Sequence, residues 1–298
     1  MLRKLAVALP SLLAASGLGG EASAQNGLYV GMDLGLAVTP DLVVAATNDD
    51  WSTRCDLITN PTQAETGDAC NAPPPRPTWS NEVAGGSGIL AAAAVGYRWG
   101  GLRIEGEYFH RTATHDALSQ TAIGPDAVLL AKADQEIEIA DGGVDDVLAH
   151  NGFLNLYYDF VRGSRLTPYV GVGVGAARVS LDYFSRWTRN DNPDEIDTFV
   201  DPLLKARLSG TTSIGRAKLS DTLTGFQALA GVDYRVSDAF SLGIKVRWTS
   251  LGEFEDGDEW LQLRSHESSI GRDFRVRYVT TTSDLASLGV GISMKYGF

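Results

Sequence analysis

The stretch Leu28-Tyr-Val-Gly-Met-Asp-Leu-Gly-Leu-Ala-Val-Thr39 decides the fold. Leu28, Val30, Met32, Leu34, Leu36 and Val38 share one parity; Tyr29, Gly31, Asp33, Gly35, Ala37 and Thr39 share the other. Period two marks a strand whose faces meet different surroundings, because successive side chains point to opposite sides. The same sorting returns seven times, at about 88–99, 102–109, 154–161, 168–177, 226–235, 240–249 and 286–298. Gly100-Gly101, Arg162 to Thr167 and Ser237-Asp238 make short turns, whereas about 40–86, 112–152, 180–222 and 250–284 are long connections. Long and short alternate, so an up-and-down sheet gathers every long loop at one rim. Hydrocarbon offers backbone groups no partner, so a strand-built span must close on itself. The expected fold is all-β: a closed eight-stranded antiparallel up-and-down transmembrane barrel with three short periplasmic turns and four long extracellular loops.

A soluble barrel alternates too, with its apolar parity inside. The polar parity decides between them. It carries Asp33, Arg98, Arg103, Glu105, Glu107, Asp233, Arg235, Lys245, Arg247 and Lys295 among many glycines, while the apolar parity has almost no charge. Side chains fill an eight-stranded barrel. These ten charges are therefore expected to pair inside as a lumen plug, with Glu105 and Glu107 on the third strand facing Lys245 and Arg247 on the seventh. Tyr97, Trp99, Tyr158, Phe160, Tyr234 and Phe240, joined by Tyr296 and Phe298, fall beside the short turns and form an expected aromatic belt. Tyr108, Phe226 and Trp248 belong at the opposite boundary.

Composition agrees. Of 298 residues, 44% are hydrophobic, which excludes a disordered chain. Beyond the first two dozen residues no apolar run approaches the roughly 20 residues of a spanning helix. A net charge of −12 argues against a nucleic-acid partner. Residues 1–24 read as a cleaved secretory signal: Arg3 and Lys4, an apolar run from Leu5 to Leu18, then Ala22-Ser23-Ala24. Residues 25–298 then form a single barrel domain. Export suits a disulfide between Cys55 and Cys70, closing a surface loop and stabilising it by about 3 kcal/mol. Two free thiols or a metal pair are the alternatives.

The run Asn155-Leu-Tyr-Tyr-Asp-Phe160, followed by Thr167-Pro-Tyr-Val-Gly-Val-Gly-Val-Gly175, resembles the central hairpin of the opacity-protein and surface-antigen family of outer-membrane barrels. Gly231-Val-Asp-Tyr-Arg235 resembles its next hairpin, and Met294-Lys-Tyr-Gly-Phe298 its C-terminal assembly signal, carried by Met294, Tyr296 and Phe298. The resemblance covers the strands and not the loops. It implies a Gram-negative outer-membrane location and insertion by the barrel-assembly machinery. It also implies a role as surface antigen, adhesin, envelope-structural protein or narrow pore.

Chemistry-bearing motifs are sparse. Rim enzymes of such barrels need a His beside a Ser or an acid. Of His110, His115, His150 and His266, only His110 lies on a clear strand. In Ser265-His266-Glu267 strand neighbours would diverge. The acids from Glu253 to Glu259 lack EF-hand spacing. Gly171, Gly173 and Gly175 precede no helix, so they form no dinucleotide loop. The basic third loop, with Arg186, Arg189, Lys205, Arg207, Arg216 and Lys218, is expected to pair with the acidic fourth, or to contact glycolipid phosphate. The expectation is a non-enzymatic surface barrel without cofactor. Its partners are outer-membrane lipid and lipopolysaccharide, and a host or matrix ligand at the loops. A narrow porin-like pore is the alternative, and a lipid-modifying rim enzyme a third reading.

Overall fold

The structure is a computed structural model and describes residues 26–48, 78–115, 118–124, 136–160, 164–196, 201–261 and 275–298. The leader, Cys55, Cys70 and His266 lie outside them. Among the described residues there are thirteen strands, numbered β1–β13 in chain order. Eight close the barrel: β1 (Gly27–Val38), β4 (Ser87–Trp99), β5 (Leu102–Thr114), β7 (Ile137–Asp159), β8 (Leu166–Arg189), β9 (Thr212–Arg235), β10 (Phe240–Leu251) and β13 (Leu285–Gly297). Each pairs antiparallel with the next. Closure comes from β1 against β13, in register from Tyr29 opposite Gly297 to Val38 opposite Leu288. Leu34, Leu36, Val172, Val174 and Ile292 face outward and are exposed, while Asp33, Glu105, Glu107, Lys245 and Lys295 are buried inside.

Gly96 and Gly171 have a steric reason. A Cβ at Gly96 would overlap the ring of Tyr29, and one at Gly171 the ring of Tyr157. Both rings point into the lumen, and the opposing strand must leave them room.

The long connections differ from what the alternation suggests. β8 and β9 have 24 residues each, roughly 80 Å of extended chain, where crossing a bilayer needs only about 9–11 residues. The cause is a change of solvent along an unbroken strand. On β8, Val170, Val172 and Val174 face outward; Ala177, Val179, Leu181 and Tyr183 face inward and are buried. The β8–β9 pairing runs through this change without slipping: Gly175 opposite Gly225, Ala176 opposite Thr224, Ala177 opposite Leu223, Arg178 opposite Thr222. Within the bilayer the greasy side faces lipid. Beyond it the outside meets water, and the greasy side turns in. The inversion resembles a strand end in sequence, which is why the alternation placed these strands at about 154–161, 168–177 and 226–235.

Five further strands fill the other connections: β2 (Leu42–Asn48), β3 (Thr78–Val83), β6 (Ser119–Ile123), β11 (Glu255–Leu261) and β12 (Arg275–Thr282). They pair in the order β11-β12-β2-β3-β6, and β6 joins the outer part of β7. At the other end β11 meets β9 without ladder pairing. Instead Asp256 Oδ2 accepts from the Ser220 N–H at 2.7 Å, and Asp221 Oδ2 from the Glu255 N–H at 3.2 Å. The loop strands and the outer parts of β7–β9 thus ring a second storey above the barrel. A short helix, α1 (Pro202–Leu208), is capped by Asp201, whose side chain accepts from the Leu203 N–H.

Candidate functional site

The lumen is the candidate site, and it has two levels. The inner one is polar. Near the short turns, Arg103 lies between Asp159 (2.9 Å) and Asp233 (3.5 Å), Lys295 pairs with Asp233 at 2.7 Å, and Arg98 approaches Asp159 at 3.7 Å. The Arg103 guanidinium also sits 4.8 Å and 4.5 Å from the ring centroids of Tyr157 and Tyr169, where cation–π attraction holds it.

One level outward, Lys245 reaches Asp33 (2.7 Å), Glu107 (3.4 Å) and Glu105 (3.8 Å). Arg247 pairs with Glu107 and lies 3.4 Å from Asp33. The register makes these contacts possible. β5 and β10 are the third and seventh barrel strands, on opposite sides of the cylinder. Neutral side chains add hydrogen bonds to the two glutamates, while the Arg103 guanidinium is held by ion pairing and ring contacts alone. Tyr29 donates to Glu105 at 2.8 Å and Tyr157 to its other oxygen at 2.9 Å. Asn155 and Gln227 donate to Glu107 at 2.9 Å and 3.2 Å. Five carboxylates (Asp33, Glu105, Glu107, Asp159, Asp233) thus meet five cations (Arg98, Arg103, Lys245, Arg247, Lys295). A filled, balanced network is the arrangement in which buried charge is tolerated. Arg235 stands apart: it is half-buried at the short-turn rim and makes no ion pair among the described residues.

The outer level is apolar. Phe109, Phe153, Ala177, Val179, Leu181, Leu219, Leu223 and Leu251 pack with Leu42, Val44, Trp79, Val83 and Tyr278 of the loop sheet. Trp79 donates to the Tyr183 hydroxyl at 3.1 Å, and the rings of Tyr183 and Tyr278 stack 5.7 Å apart. Burial raises the pKa of a phenol, and Tyr278 is held above the ordinary value near 10, first by burial and then by the Asp258 charge nearby. Within this outer level, between Phe109 and Ala113 on β5, lies Arg111, buried and without a hydrogen bond or ion pair among the described residues. It lines a cavity of about 10 Å³ with His115, Asp41 and Asp284, room for about one water.

On the exterior, Tyr97, Trp99, Tyr158, Phe160 and Tyr234 are exposed near the short turns and Phe240 is half-buried there. Tyr296 and Phe298 complete the girdle, and Met294 sits half-buried on β13. The expected pairing between the third and fourth loops is absent among the described residues. Arg186 pairs with Asp141 and Arg277 with Glu259, and no basic residue of 180–222 bridges to 253–259. The acids instead cap backbone N–H groups along β11 and β9. Sequence reasoning did not single out Asp159, Asn155, Gln227, Tyr157 or Tyr169 as partners of the charges. Their signal was plain: each lies on the charge-bearing parity.

A closed eight-stranded barrel with a lipid-compatible girdle, a charged interior and its long connections at one rim defines a class, the small outer-membrane barrels of Gram-negative bacteria. The family model described as "Opacity family porin protein" matches residues 95–278, and the chain belongs to that family. It is 25% identical over 205 residues to the opacity protein opA52 of Neisseria gonorrhoeae, covering 63% of this chain and 79% of that one. Solved structures similar to it include Neisserial surface protein A (15% identity, TM-score 0.38, 91% of this chain and 97% of that one). Another is OprG from Pseudomonas aeruginosa (13% identity, TM-score 0.45, 91% and 97%). The chain is an opacity-family outer-membrane β-barrel surface protein.

Proposed function

We propose that this protein is a non-enzymatic surface barrel with a sealed lumen, whose outer storey presents a contact face to a host, matrix or envelope partner. One observation carries the reading: the interior is occupied at both levels, by paired charges within the membrane and by a packed, mainly apolar core above it. A continuous water path would need to breach both. A rim enzyme finds no support in the histidines. His110 and His150 neighbour each other and Tyr108, and His115 lies between Thr39 and the Ala84 carbonyl. None of the three pairs with a carboxylate among the described residues. The proposal includes residues 1–24 as a cleaved leader, 25–298 as one barrel domain and a Cys55–Cys70 disulfide. It also includes insertion through the Met294, Tyr296 and Phe298 signal. Planar-bilayer recording of the refolded protein tests it. Silence is expected; stable unitary conductance would replace the sealed barrel with a narrow pore.

A further inference from the structure

The inversion of the greasy side locates the outer edge of the hydrocarbon. Outward residues are apolar up to Val174 on β8, Phe226 on β9 and Leu154 on β7. Inward residues become apolar from Ala177, Leu223 and Ala149. The transition passes through one row of outward side chains, set side by side on four adjacent strands: His110 opposite His150, His150 opposite Arg178, Arg178 opposite Thr222. The next row outward is Thr112, Leu148, Ser180 and Ser220. Neither row contains an acid. Two carboxylates flank the β9 end of these rows, Asp256 accepting from the Ser220 N–H and Asp221 from the Thr222 N–H. On β7 and β8 the nearest outward acids, Asp146 and Asp182, are two residues further along, where Asp146 accepts from Thr114 and Asp182 lies opposite Lys218. Beyond them Arg186 is paired with Asp141.

Arg178 has no ion pair among the described residues. Its guanidinium is held by hydroxyls, donating to Ser220 and to Thr222 at 3.1 Å. That leaves its charge uncompensated at the surface of an acidic protein. His150 is similarly oriented. Its Nδ1 lies 2.7 Å from the Tyr108 hydroxyl and 3.4 Å from His110 Nδ1. With Nδ1 accepting from Tyr108, the neutral ring carries its proton on Nε2, as a donor. Neighbouring strands set these groups about 5 Å apart, within the span of one tetrahedral anion and its donors.

We propose that this row is a binding site for the phosphate of an outer-leaflet phosphorylated glycolipid. Its acyl chains would lie along Leu154, Val174 and Phe226. The row sits on the lipid-facing side, on the rim of the long connections, at the height where hydrocarbon gives way to headgroups. Cation, imidazoles and hydroxyls complement phosphate, and the apolar rows below complement its chains. The inference rests on the surface-barrel reading and deepens it.

The test measures glycolipid retained by the refolded protein in mixed detergent micelles. It compares lipopolysaccharide with the same material stripped of lipid phosphates. Wild type is expected to retain the phosphorylated form about tenfold better, the order of a charge-assisted hydrogen bond. Arg178→Gln with His150→Gln should abolish that preference, while Arg178→Lys keeps part of it. Each variant must keep its heat-dependent gel shift, which reports a folded barrel. Equal retention by wild type and the double variant overturns the site. Displacement by inorganic phosphate at matching concentration also overturns it, assigning the row to a soluble anion. A second arm separates the two levels of inference: brominated acyl chains should quench the fluorescence lost on Trp248→Phe. Without that quenching the lipid-facing orientation itself fails; quenching with unchanged retention removes only the phosphate site.

Discussion

Glu107 shows what a single interior side chain supports. It answers Arg247 and Lys245 and accepts from Asn155 and Gln227. Removing one member of a buried ion network leaves its partners uncompensated, at a cost of about 3–5 kcal/mol. Glu107→Gln should therefore lower the urea midpoint of barrel unfolding, followed by gel shift, while an exposed change such as Glu259→Gln should leave it within about 0.5 kcal/mol. Tyr278 makes a pH prediction. Its folded pKa is raised, so its contribution is fully present below the ordinary phenol value near 10 and is lost as pH climbs through the folded value. The outer storey should become protease-sensitive above about pH 10 while the gel shift persists, and Tyr278→Phe should blunt that transition. The charged interior residues were legible in the sequence because parity placed them together. Their individual partners were not, because register between distant strands decides that Lys245 meets Asp33 as well as Glu107.

At the scale of the element, β8 is two strands in one. Val172 faces outward and Val179 faces the apolar cluster of the outer storey, on opposite parities of one strand. Val172→Arg should cost roughly 2–4 kcal/mol if it lies near the midplane of the bilayer, read out as lost insertion into vesicles. Val179→Arg should leave insertion intact and open the outer storey to proteolysis, since it buries an unpaired charge in an apolar cluster. The seam between β9 and β11 offers a milder lesion. Asp256→Ala leaves the Ser220 N–H without its acceptor, an expected loss of about 1–3 kcal/mol confined to the storey and visible as faster cleavage near β11. These elements were the least legible part of the chain. In a period-two pattern, a change of phase looks the same as the end of a strand. Short strands such as β6, with five residues, are too brief to announce themselves and exist because β3 and β7 flank them.

For the whole molecule, closure, the strand count of the barrel and its inside-out sorting could be read from sequence, because a bilayer imposes one solution on alternating chains. The folded state of the long connections could not, because their strands pair across the chain: β2 with β12, and β3 with β6. In the proposed reading, a filled interior leaves the row of Arg178 and His150 and the outer storey as the surfaces that meet other molecules. The inverted sorting has one more consequence. Because Gly175 to Arg178 keep their register while the apolar residues pass from the outward to the inward side, the strand carries its own waterline. Any relative's immersion depth could be gauged by finding where its valines change sides, with no membrane in view. Moving that mark by two residues should lift or sink the whole cylinder by one rung.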